Sequence, residues 1–307
     1  MNIVKIVFHS VTWIYKVYFH ADRIIGRYPN IIAKDHRVNK FDYHPEIAVG
    51  NTFNNSRWNL GDALGFIVTS YMLEKRGLSL DSWIKDRKHF ASIGSNVFSS
   101  FQHLTFWGGG ALCQPSQHYD KKMRLFRFLL RNPFSKFDFR AVRGPLTREL
   151  VLKYGHKCPE VYGDPAILMP YIYTPHCKIT HDFLAIPQFY TEAEFRQKHP
   201  DVFVMSMNTN DYKTIIDAIA SSKKVVTSSL HGIILTEAYG VPAVFYRGLA
   251  KEIDFKYMDY YYSTNRSEVK IAESFEEALS MEPLPLPDLK SLQEGLLKSF
   301  PYDLWAN

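Results

Sequence analysis

The chain has 307 residues, 46 % hydrophobic and 22 % charged, a globular mixture that excludes general disorder, a collagen and a disulfide-stapled miniprotein. That length accommodates two domains of ordinary size, and no apolar run is long enough to span a membrane. Lys and Arg outnumber Asp and Glu by 37 to 31, a net charge of +6 that favours anionic partners without naming one.

Ile3, Ile6, Val7, Val11, Ile14 and Tyr18 fall on one helical stripe. The uncharged run between Lys5 and Lys16 is short and no small-residue cleavage site follows, which argues against a secretory signal. A first helix or strand packed on the body fits this stretch, and so does an interfacial helix lying on a membrane. A polar loop from Asn51 to Asn59 follows. Leu64, Ile67, Val68 and Tyr71 then repeat at helical spacing, predicting a helix over 61–76 that Gly77 ends. Strands are predicted at 89–93, 103–107 and 137–142. The second runs into Gly108-Gly109-Gly110, and the third into Gly144-Pro145 and a helix through Leu146, Leu150 and Tyr154.

Between the second and third strands the charge is lopsided. From Lys121 to Arg148 nine basic residues face one acid, Asp138. A solvated helix face, a phosphate-binding surface and a contact with anionic lipid all fit. No recognition motif accompanies the charge, so nucleic acid is not an expected partner.

Further along, buried strands are predicted at 183–186, 202–205, 225–227 and 243–246, with helices at 212–221 and 230–239. Strand alternating with helix predicts parallel sheets and the α/β class. Two doubly wound α/β domains facing a cleft are expected, at 1–172 and 173–285, joined near Pro170 to Lys178. Three prolines, Pro283, Pro285 and Pro287, precede a C-terminal tail at 286–307 with a last helix at 289–298. Ligands of open α/β sheets bind at strand C-terminal ends, so the loops there are the ones to inspect.

Ser228-Ser229-Leu230-His231-Gly232 follows a strand and opens a helix, which makes an anion site of backbone N–H groups with hydroxyls beside them. His231 there is placed to act as acid or base, although a Ser cap with a surface His also fits. Ala141-Val142-Arg143-Gly144-Pro145 forms a second such junction, with a guanidinium able to grip a carboxylate or phosphate. Asp164, in Gly163-Asp164-Pro165, is either a turn cap or a substrate contact. Gly108, Gly109 and Gly110 permit close backbone approach, without the Lys-Ser/Thr of a P-loop. Asp62, in Asn59-Leu60-Gly61-Asp62, either stabilises a helix start or faces a sugar hydroxyl. The three cysteines, Cys113, Cys158 and Cys177, form no metal-ligand spacing, and a reducing cytoplasm is the default expectation.

These blocks resemble, in order, the polysaccharide pyruvyl transferases: Asn59-Leu60-Gly61-Asp62, Trp107-Gly108-Gly109-Gly110, Val142-Arg143-Gly144-Pro145, Gly163-Asp164-Pro165-Ala166, Ser228-Ser229-Leu230-His231-Gly232 and Glu237-Ala238-Tyr239-Gly240-Val241-Pro242. The resemblance implies two Rossmann-like domains in a GT-B-like arrangement. It also implies transfer of pyruvate from phosphoenolpyruvate to two hydroxyls of a hexose, as a cyclic ketal, with release of phosphate and without a metal or other cofactor. The expected acceptor is a surface saccharide or its lipid-linked precursor, at the inner face of the cytoplasmic membrane. On this pattern His231 and Asp62 are the expected catalytic residues. Arg143, Ser228, Ser229, Leu230 and Arg247 are expected at the donor, and Asn59, the triple glycine and Asp164 on the acceptor side. Some members carry Arg where this chain has Ser229, so that contact passes to Ser229, the helix N-terminus or Arg247. A GT-B-like glycosyltransferase using a sugar nucleotide and a non-catalytic carbohydrate- or anion-binding protein are the alternatives.

Overall fold

A computed structural model describes residues 31–32, 42–43, 59–80, 89–95, 97, 103–111, 136–188, 190–248 and 254–305. The stripe in the first twenty residues, Cys113 and the basic residues from Lys121 to Arg131 lie outside the described residues.

In chain order the elements are β1 (Ile31–Ile32), β2 (Asp42–Tyr43), α1 (Leu60–Glu74), β3 (His89–Ala91), β4 (His103–Trp107), β5 (Lys136–Ala141) and α2 (Pro145–Lys153). A 3₁₀ segment, Pro165–Tyr171, leads to β6 (Leu184–Ile186), α3 (Glu192–Lys198), α4 (Tyr212–Ala220), β7 (Val225–Thr227), α5 (Leu230–Ala238) and β8 (Ala243–Tyr246). The chain closes with α6 (Phe255–Ser263), β9 (Ile271–Ala272), α7 (Phe275–Ser280), α8 (Lys290–Ser299) and a 3₁₀ turn, Tyr302–Leu304.

β1 and β2 form an antiparallel pair. Two larger sheets are parallel throughout, β3-β4-β5 and β6-β7-β8-β9. The α/β class with parallel sheets is therefore as the alternation predicts. The strands of the second sheet read as unbroken apolar runs because both faces are covered, and β6, β7 and β8 are buried along their length. Residues 202–205, expected as a strand, contribute only a one-residue bridge, Val204 to Ala185. The chain leaves the sheet there, and the Met207 carbonyl accepts the Leu60 N–H at 2.9 Å, tying the run to the start of α1.

One apolar cluster joins the two sheets. Leu60, Leu64 and Trp107 of the first half meet Ile167 and Leu168 of the 3₁₀ segment and Ile186, Leu230 and Ile233 of the second. The C-terminal segment returns to the first sheet. Trp107 Nε1 donates to the Leu296 carbonyl at 3.1 Å, and Phe90 packs edge-on against Trp305 at 5.1 Å. Such aromatic pairs add about 0.5–1.5 kcal/mol each beyond their area. Among the described residues no helix is long and apolar enough to cross a membrane.

Candidate functional site

β7 ends at Thr227, and α5 begins three residues later. Ser229 is the N-cap, its Oγ accepting from Gly232 N at 3.3 Å, while its own N–H donates to Thr227 Oγ1 at 3.0 Å. Ser228 is buried and structural in its bonds: its Oγ accepts from Gln188 N and its carbonyl from the Tyr257 hydroxyl. Leu230 belongs to the shared core. His231, in the first turn, is 9 % exposed.

His231 reaches across to the first half of the chain. Its Nε2 lies 3.6 Å from Asp164 Oδ2, and the Asp164 side chain is fully buried. Asp164 Oδ1 caps the 3₁₀ segment by accepting from Ala166 N at 3.1 Å. Its Oδ2 and His231 Nε2 have no hydrogen-bond partner among the described residues.

The opposite edge of the imidazole faces α1. A Cβ at Gly61 would overlap the ring at Nδ1, so this position in the first turn of α1 has room only for glycine. Asn59 is the N-cap and Asp62 the next residue along the helix. Gly61→Ala is expected to force the ring or the helix aside. Activity should fall by about 10²-fold through that misplacement, and stability by about 1–3 kcal/mol through overpacking. Steady-state kinetics with a denaturant titration check both; kinetics unchanged from wild type would remove Gly61 from the site.

The triple glycine is the spacer between this pair and Arg143. Gly108 has φ +81°, and a Cβ on it would strike Pro165, the residue after Asp164. Gly109 accepts the Arg143 backbone N–H at 3.1 Å. Gly110 lies against the Arg143 guanidinium, where a Cβ would overlap Cζ. Arg143 itself is fully buried: Nη2 donates to the Ala111 carbonyl, Nη1 to Ser95 Oγ at 3.3 Å, and Nε is 3.3 Å from Asp259 Oδ2.

The helix N-terminus beside Arg143, expected to hold a ligand's anion, holds the protein's own. Asp259, on α6, accepts from Thr147 N at 2.9 Å and from Thr147 Oγ1 at 2.6 Å, capping α2 from another element. Burial pushes the Asp259 carboxyl above the usual carboxylate range, against the pull of Arg143 and the Thr147 donors. Arg247, after β8, is also engaged, by Asp254 and by Glu273 at 3.3 Å.

Thus the structure brings Asp164 and His231 together beside Gly61, and gathers the triple glycine against Asp164's turn and Arg143. Arg143 and Arg247 are each already paired with carboxylates. The fold gives roles to three further residues. Gly61 was legible as an oddity, a glycine early in a helix. Asp259 sits among Tyr257, Tyr260 and Tyr261, a setting with no polar periodicity to betray it. Gln188 donates from Nε2 to the Tyr257 hydroxyl at 2.9 Å while its buried Oε1 has no partner among the described residues.

Among the described residues no group of three His, Cys, Asp or Glu is placed to hold a metal. Cys158 is buried, its thiol pushed up to about 11 by burial, and Cys177 is exposed; both are free.

The fold and site define an α/β protein whose polar residues converge at the C-terminal ends of parallel strands. Residues 59–247 match the model of the polysaccharide pyruvyl transferase family, and the chain belongs to that family. It is thereby a transferase acting on polysaccharide. An uncharacterized protein of Acanthamoeba polyphaga mimivirus is 24 % identical over 66 % of this chain and 69 % of its own length. A functionally uncharacterized protein of Klebsiella pneumoniae subsp. pneumoniae, known as a crystal structure, is 15 % identical, with 71 % of this chain and 90 % of that one covered and a TM-score of 0.45.

Proposed function

We propose that this chain moves the pyruvyl group of phosphoenolpyruvate onto two hydroxyls of a hexose, making a cyclic ketal and releasing phosphate. The observation that carries this reading is the meeting of His231, after β7, with Asp164, after the Val142–Tyr162 bridge, beside Gly61 and inside the family segment. In this reading residues 1–172 form the acceptor side and 173–285 the donor side of a GT-B-like pair. The tail from 286 closes back on the first sheet.

The chemistry needs a proton at C3 of the enol, cationic or N–H donors for the phosphate, and an orienting group for the sugar. His231 takes the proton of the first hydroxyl as that hydroxyl adds at C2, and the same nitrogen passes a proton to C3. The second hydroxyl then displaces phosphate at the same carbon, its proton leaving with the phosphate. Ser229 and the backbone N–H groups opening α5 serve the donor phosphate, in a position where some members of the family carry Arg. Asp62, next to Gly61, orients the acceptor. Arg143 is already tied to Ala111 and Asp259, so its proposed contribution to donor binding is to fix the glycine loop. A direct contact with the donor requires it to exchange one of those partners.

Thermal denaturation with a ligand panel tests the donor. The midpoint is expected to rise with phosphoenolpyruvate concentration, as mass action requires of a ligand of the native state. A rise with nucleotide sugars alone would replace this reading by a glycosyltransferase. A rise with saccharides alone would replace it by a carbohydrate-binding protein.

The proposed place of work is the inner face of the cytoplasmic membrane, on lipid-linked saccharide. The basic run from Lys121 to Arg148, less the buried Arg143, supports a peripheral contact, as do the first 42 residues, where seven Lys and Arg oppose three Asp. Each basic residue near an anionic surface contributes about 1 kcal/mol, lost as salt screens it. Sedimentation with anionic vesicles at low salt, reversed by added salt, is the expected result. Equal partitioning onto neutral vesicles, or none onto either, would contradict it.

A further inference from the structure

We infer that Asp164 is the positioning residue of His231, holding the imidazole so that Nδ1 is the nitrogen that exchanges the proton; this rests on the proposed reaction for its consequence, though not for its geometry. Asp164 Oδ1 accepts the Ala166 N–H, a duty Asn or Ser performs equally well at a cap. The second oxygen is the informative one. It is buried, has no hydrogen-bond partner among the described residues, and lies 3.6 Å from an imidazole nitrogen in the same condition. Leaving a buried polar group unmade costs about 1–3 kcal/mol, so two such atoms face to face call for a proton between them.

The local chain is shaped around that meeting. Gly108 lets the Gly163-Asp164-Pro165 turn approach β4, and Gly61 clears the far edge of the ring. A carboxylate accepts only, so it selects the tautomer with the proton on Nε2. The lone pair is then on Nδ1, the edge toward Gly61 and the start of α1, where Asn59 and Asp62 stand on the proposed acceptor side. Asp164 comes from the first half of the chain and His231 from the second, so the pair exists only with the two halves seated together.

Asp164→Asn is the discriminating variant. It keeps size and can keep the Oδ1 cap, but its amide donates to Nε2 and drives the proton to Nδ1. With phosphoenolpyruvate and an acceptor, kcat is expected to fall about 10²- to 10⁴-fold, as tautomer reversal does in histidine-dependent catalysis, with KM for phosphoenolpyruvate nearly unchanged. The second readout needs no substrate. In ¹⁵N-histidine NMR spectra, with the His231 signals among the 12 histidines assigned by their loss in His231→Gln, wild type is expected to carry the proton on Nε2 and Asp164→Asn on Nδ1. A folded Asp164→Asn with kcat within a few-fold of wild type would overturn the inference. So would an unprotonated Nε2 in wild type, which decides the matter alone if the variant fails to fold. Should the spectra behave as expected while wild type forms no ketal with any acceptor, the proposed function fails and the pairing of Asp164 with His231 stands.

Discussion

His231→Ala is expected to fold normally and to lose at least about 10²-fold in kcat, the size of effect that removal of an acid–base catalyst produces. The fold should survive because the cap of α5 is made by Ser229 Oγ and not by the imidazole, and alanine is a strong helix former. Among the described residues the neighbours of the imidazole are Asp164 and the first turn of α1. A modest drop in thermal midpoint is expected from leaving the Asp164 carboxylate facing the vacated space. Initial rates over a range of phosphoenolpyruvate concentration, with circular dichroism as the folding control, check this. Wild-type turnover in a folded variant would falsify the acid–base role.

Arg143→Met is expected to be the most destabilising substitution at the site, by about 3–5 kcal/mol, because it leaves Asp259 as an uncompensated buried carboxylate. Both side chains of that pair are fully buried. The loss extends to function: the guanidinium also holds the Ala111 carbonyl, so the loop of Gly108 to Gly110 loses its anchor. Replacing both partners by apolar residues should recover part of the loss. Recovery stays incomplete because Asp259 also caps α2 through Thr147, a contribution of about 1 kcal/mol. Denaturant unfolding of the single and double variants measures each value. A loss under about 1 kcal/mol for Arg143→Met would mean that the pair does not hold the site.

How much of this was legible in the sequence depends on what each residue answers to. β4, β7 and β8 sit where their apolar runs predict, because local composition decides a buried strand. α1 and α5 begin within a residue of expectation, since their starts are marked by Asn59 and Ser229. Residues 202–205 have the same apolar look, yet the sheet keeps only Val204; the partner that draws the run away is Leu60, far off in sequence. Likewise, Arg143 read as a ligand clamp because its neighbours make a helix N-terminus. What fills that N-terminus is Asp259, over a hundred residues later, and no local pattern carries that information. The meeting of Asp164 with His231 is of the same kind: each residue is visible in its own motif, and only the packing of two sheets joins them.

Mass spectrometry of a single incubation reads ketal formation itself. Purified chain, phosphoenolpyruvate and a panel of aryl and lipid-linked hexosides are combined, with His231→Ala as the matched control. At least one acceptor is expected to gain the mass of pyruvic acid less one water, in step with phosphate release and far more slowly with His231→Ala. No adduct on any hexoside, or transfer of a sugar from a nucleotide donor instead, would contradict it.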